Sequence, residues 1–147
     1  CVPDRWYSIN IDNLEQVYGG EYLDAVLNSS PIIQRKLADA YFTDDNIEIA
    51  IELYRLAAIN GDLTAQFSFS IMLGRGMGVE RDELESIKWI RNAALGGYSI
   101  AQIVWGALLV NGEAIEKDIE GGTSWFIQGM EKLSQDDPTI QPMFLKT

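Results

Sequence analysis

Residues 50–85 lie over residues 86–121 without a gap, and eleven of the 36 pairs are identical. They are Ile51/Ile87, Arg55/Arg91, Ala57/Ala93, Ala58/Ala94, Gly61/Gly97, Ala65/Ala101, Gln66/Gln102, Leu73/Leu109, Gly76/Gly112, Glu80/Glu116 and Asp82/Asp118. Average composition would supply about two by chance. A fixed period of this size marks a stacked-repeat architecture, in which each unit buries its apolar side against its neighbours. The repeat also decides how to read GRGMGVERD at 74–82. A phosphate loop needs a lysine followed by serine or threonine after its glycines, and none follows here. One period later a glycine returns as Gly112 in NGEAIEKD. The stretch therefore reads as a repeated corner.

Each unit carries two helical patterns. In LESIKWIRNAALGG, Leu84, Ile87, Ile90, Ala93 and Ala94 recur at helical spacing, and Gly96 and Gly97 end the run. SIAQIVWGALLVNG follows, with Ser99 predicted as its N-cap and Asn111-Gly112 as its stop. IEIAIELYRLAAING and LTAQFSFSIMLGRG repeat the plan. Alanine at the matched positions allows close helix contacts, and Leu53, Trp89 and Trp125, each 36 residues apart, are expected to fill the spaces between. Gln66 and Gln102 are expected to bond a neighbouring turn. Asp82 and Asp118 are expected to cap the helix that follows each.

The pattern weakens toward both ends. KLADAYFTDDNIEIA reads as the second half of a degenerate copy whose corner is four residues shorter, with Leu37, Ala38 and Tyr41 standing where Phe69, Ser70 and Leu73 stand later. EYLDAVLNSSP reads as the first helix of that copy, with Pro31 opening the next. GGTSWFIQGMEKL is one further first helix, in which Gly129 and Met130 replace the alanine pair. The expected organisation is one domain over residues 1–147. It divides into a leader (1–20), a degenerate repeat (21–49), two full repeats (50–85 and 86–120), a capping helix (121–134) and an irregular tail (135–147).

Composition narrows the chemistry. The chain has no histidine, so the commonest general base and transition-metal ligand are missing. Its single cysteine, Cys1, cannot form an internal disulfide. Asp44-Asp45 and Asp136-Asp137 read as turn residues, and acids as near as Glu83 and Glu85 point in different directions on a regular element, so no catalytic residue, metal site or cofactor is assigned. An enzyme built on one of these acid pairs is the alternative they leave open. The chain carries 22 acidic and 11 basic residues, a net charge of −11. That repels nucleic acid and favours a basic protein partner.

Trp89, Ala93, Ala94, Gly97, Ala101, Gln102, Gly106, Leu109, Gly112, Ile115 and Asp118 together resemble the Sel-one-like repeat, a relative of the tetratricopeptide repeat. The preceding copy offers Leu53, Ala57, Ala58, Gly61, Ala65, Gln66, Leu73, Gly76, Gly78, Val79 and Asp82. The resemblance covers about residues 21–133. It implies an all-α fold, a short α-solenoid of stacked antiparallel helix pairs wound as a superhelix. It also implies a non-catalytic module that binds another protein. The variable positions of the AQxxxGxxL helices are the expected partner-binding residues: Phe67, Ser68, Ile71, Ile103, Val104 and Ala107, with Arg75 and Asn111 at the corners. Trp6 and Tyr7 are expected to pack on the first helix or to touch the partner.

Beginning at Cys1, the chain looks like a mature bacterial lipoprotein, with lipid on that cysteine and an anchor in the outer membrane facing the periplasm. Small secreted Sel-one-like lipoproteins include immunity proteins that block a toxic effector, such as a phospholipase of the type VI secretion system. The expectation is an inhibitor of a basic-surfaced toxin that touches the membrane only through Cys1. A general scaffold or adaptor in the envelope or in signalling is the alternative.

Overall fold

The computed structural model describes residues 23–136. The expectations for Cys1, the leader with Trp6 and Tyr7, Asp137 and the rest of the tail lie outside the described residues. Within them the regular structure is helical. A helical stretch at 23–27 precedes α1 (Pro31–Thr43), α2 (Ile47–Ile59), α3 (Leu63–Arg75), α4 (Glu83–Leu95), α5 (Ser99–Asn111) and α6 (Ile119–Asp136). The all-α expectation holds. None of these helices is long and apolar enough to cross a membrane.

Local chemistry sets each boundary. Pro31 opens α1, and the Ser30 hydroxyl accepts from the Ile33 amide at 3.3 Å. Asp62 caps α3, its Oδ1 accepting from Thr64 at 3.0 Å and Ala65 at 3.4 Å. Asp82 and Asp118 accept from the amides of Glu85 (3.0 Å) and Gly121 (2.9 Å), as their recurrence predicts. Gly76 and Gly112 end α3 and α5 at φ 69° and 70°, a conformation that any side chain would strain. The opening glycine stretch is thus a helix stop. Ser99 differs from expectation. The N-cap of α5 is Tyr98, whose side chain makes no capping bond, and Ser99 is the first helical residue and buried. Tyr98 stands where Asp62 stands in the previous copy, and a phenol cannot reach back as a carboxylate does.

The helices form two compact units divided between Ser86 and Ile87. In the first, α1 packs on α2 and α2 on α3. Ile51, Leu53, Leu56, Phe69 and Leu73 fill its core. The start of α4 joins this unit through the Ser86 hydroxyl, which donates to the Ser70 carbonyl at 2.6 Å. In the second unit α5 lies against α6. A Cβ on Gly106 would stand 2.5 Å from the Gly122 carbonyl oxygen, and one on Gly129 would stand 2.8 Å from the Ile103 amide. Gly106 and Gly122 occupy the positions that Ser70 and Ser86 hold one period earlier, and here the lack of side chains brings backbone against backbone. That closeness leaves less room for large side chains. Only Ala101, Gln102 and Gly106, apart from Ser99, are buried on α5, while Trp105 and Trp125 are half-buried. Of the three large residues expected to fill the repeat spaces, Leu53 is fully buried and Trp89 and Trp125 are half-buried.

Candidate functional site

One glutamine recurs at the fourth position of α1, α3 and α5: Gln34, Gln66 and Gln102. Each donates its side-chain amide to a carbonyl eight residues back, on Val26 (2.9 Å), Ala58 (3.1 Å) and Ala94 (3.2 Å). The expected role of Gln66 and Gln102 is therefore met: they tie the start of one helix to the end of the one before. The sequence reading passed over Gln34. Its own shorter-corner register places Gln34 opposite Gln66, and that was the available signal. Gln34 also accepts from the Asn60 side chain at 3.0 Å.

A second polar chain runs through the first unit. Asp62, while capping α3, accepts from Arg35 Nε at 2.7 Å. Arg35 also meets Asp39 at 3.6 Å. Asp39 in turn accepts from the Tyr54 hydroxyl. Burial, then the bond to Asp39, pushes the Tyr54 phenol well above its ordinary range. The hydrogen bond that Arg35 donates to Asp62 likewise raises the Arg35 guanidinium. Three helices are thereby fixed by four side chains.

What this frame holds in place is a cavity of about 260 Å³. From α3 come Phe67, Ser68, Ile71, Met72 and Arg75. Phe42 of α1 and Tyr54 of α2 form a second wall, and Met77 closes the corner. The Phe42 and Tyr54 rings meet edge to face, 6.5 Å between centroids. Phe67, Ser68 and Ile71 are half-buried and Arg75 is exposed. The four partner-binding residues expected from this repeat therefore share one cavity. Phe42, Tyr54, Met72 and Met77 were missed. They differ from the next copy, since Gly74, Ile90, Leu108 and Glu113 stand at the matched positions, and divergence between copies was the signal to follow.

The second quartet is divided. Ala107 and Asn111 are exposed and line a wider cavity of about 540 Å³ with Val110, Lys117, Thr123 and Phe126. Ile103 packs against Gly129 of α6, and half-buried Val104 lies outside that cavity. Among the described residues no cluster of three or more histidine, cysteine or acidic side chains is placed to hold a metal ion.

The Sel1 repeat profile matches residues 34–62, 64–98 and 99–130. Its frame pairs α1 with α2, α3 with α4 and α5 with α6, one helix out of phase with the frame drawn from the 36-residue alignment. Among solved structures, the chain is similar to a Sel1 repeat protein from Oxalobacter formigenes, at 24% identity and a TM-score of 0.66. That match covers 82% of this chain and 53% of the other. It is also similar to a protective antigen present in uropathogenic Escherichia coli strains and displaying an SLR fold, at 28% identity and a TM-score of 0.61. Here 80% of this chain and 28% of the other are covered, so the chain spans about half or less of each. No curated protein matches it. The likeness to these structures shows the α-solenoid fold. Three consecutive profile matches, each carrying the repeated glutamine tie, place the chain in the Sel1 repeat family.

Proposed function

We propose that this chain is a non-catalytic binding module whose partner is a toxic effector, inhibited by occlusion. Sel1 repeats are protein-interaction modules. The observation that carries the binding part is the cavity of α1, α2 and α3, an apolar recess whose walls are fixed by the Asp62–Arg35–Asp39–Tyr54 chain. A pre-shaped apolar recess spares the ordering that binding otherwise demands. The net charge of −11 favours a basic-surfaced partner, with association speeded by steering. In this reading the partner is an effector such as a type VI secretion phospholipase, met in the periplasm, with Cys1 as the lipid anchor. A general envelope or signalling scaffold is the second reading, favoured by the greater length of both similar chains.

The test is a pull-down from the source cell envelope with this chain as bait, followed by identification of bound proteins by mass spectrometry. The expected result is one hydrolase whose activity is abolished by an equimolar amount of this chain. Several envelope proteins and no hydrolase would replace the inhibitor reading with the scaffold.

A further inference from the structure

We infer that the cavity of α1, α2 and α3 takes a single apolar side chain of the partner that has a carboxylate beside it, with Arg75 as the counter-ion of that carboxylate. The inference rests on the protein-binding reading and specifies what is bound. At about 260 Å³ the cavity lies below the usual size of small-molecule sites, which begin at roughly 300 Å³. It has room for one aromatic or branched aliphatic group. Interfaces are commonly anchored by such a residue in a desolvated recess. Phe42, Phe67 and Ile71 supply rigid apolar walls, and Met72 and Met77 supply adaptable ones.

The charge that matters at the cavity is local. Among the described residues, Arg75 is the one charged side chain that lines the cavity. It is exposed, and it forms no ion pair with another described residue, in a chain with twice as many acids as bases. A guanidinium on an apolar rim is matched by a carboxylate, which it can engage through two parallel hydrogen bonds. The long-range field of the molecule and this contact act on different parts of the partner. The first draws a basic surface close, and the second fixes the register of one acidic residue.

The probes are two acetylated, amidated tripeptides, Ala-Phe-Asp and Ala-Phe-Lys, titrated into the full chain and followed by methyl and amide NMR. The acidic peptide is expected to move the Met72 and Met77 methyl signals and the Ile71 amide. It should bind roughly two- to fivefold more tightly than the basic one, the span of an exposed ion pair. Arg75→Gln should erase the difference and Arg75→Glu should reverse it. Arg75 is exposed, and an unchanged spectrum of each free variant confirms that folding is intact. Equal binding of the two peptides, no binding of either, or shifts away from these residues overturns the inference. None of those results touches the binding-module reading, which stands or falls with the envelope pull-down.

Discussion

Gln66 shows what one side chain contributes to such a chain. Its amide satisfies the Ala58 carbonyl, a group at a helix end with no partner in its own helix. Gln66→Leu keeps the bulk but removes the tie between the two helices, leaving that carbonyl with the Gly61 amide alone at 3.1 Å. The expected loss is about 0.5–1.5 kcal/mol, measured by urea denaturation. Tyr54 offers a second test. The unfolded chain releases the phenol proton near its ordinary pKa of about 10, whereas the folded chain retains it at higher pH. Unfolding in that range therefore releases a proton. The contribution is complete below about pH 10 and is lost as pH rises further. Denaturation midpoints from pH 9 to 11 are expected to fall more steeply for the native chain than for Tyr54→Phe. At this scale the sequence was legible where the repeat spoke twice: Gln66, Gln102, Asp82 and Asp118 were all assigned correctly. It was illegible where a residue acts once. The Arg35–Asp62 and Tyr54–Asp39 contacts join residues 27 and 15 apart that no periodicity relates.

The helix pair α5–α6 is held by absence of side chain. A Cβ on Gly122 would stand 2.6 Å from the Gly106 carbonyl oxygen, a backbone atom that yields only if the helices separate. Gly122→Ala is expected to lose about 1–3 kcal/mol despite alanine's better helix propensity. Gly74→Ala meets only the Ser86 hydroxyl, at 3.1 Å, and its loss should be clearly smaller. Thermal unfolding of the two variants side by side checks the order. Helix spans were readable because caps and stops recur with the period. The Tyr98 cap was misassigned because a serine beside a start signal outweighed the register, which pointed to position 98. In the apolar run AQIVWGALLV at 101–110, only Ala101, Gln102 and Gly106 are buried. An apolar run records composition, whereas burial depends on how near the neighbouring helix comes, and glycines on that neighbour decide this.

Over the whole molecule, stability in repeat proteins is close to a sum of units and their nearest-neighbour contacts. Gly122→Ala should therefore raise amide hydrogen exchange in α5 and α6 far more than in α1 to α3, a pattern that a uniformly cooperative globule would not give. The family was legible from eleven identities because a solenoid writes the same packing problem repeatedly. The cavities were only half legible. One repeat's variable residues converge on a cavity, while the other's are divided between a cavity and the α5–α6 contact.

The links between helices are of two kinds. Those at 60–62 and 96–98 are three residues long in both copies, and Asn60 and Asp62 are tied to Gln34 and Arg35. The link at 112–118 is longer and is closed by the Asp118 amide, which returns to the Leu109 carbonyl at 2.9 Å. Between those ends Glu113, Glu116 and Lys117 face solvent. New sequence can therefore enter between Glu113 and Glu116 while the closing bond and both helices keep their places, at a cost that grows only slowly with length. The first kind of link sets the frame, and the second is where a reporter, an epitope or a foreign peptide can be grafted into this chain.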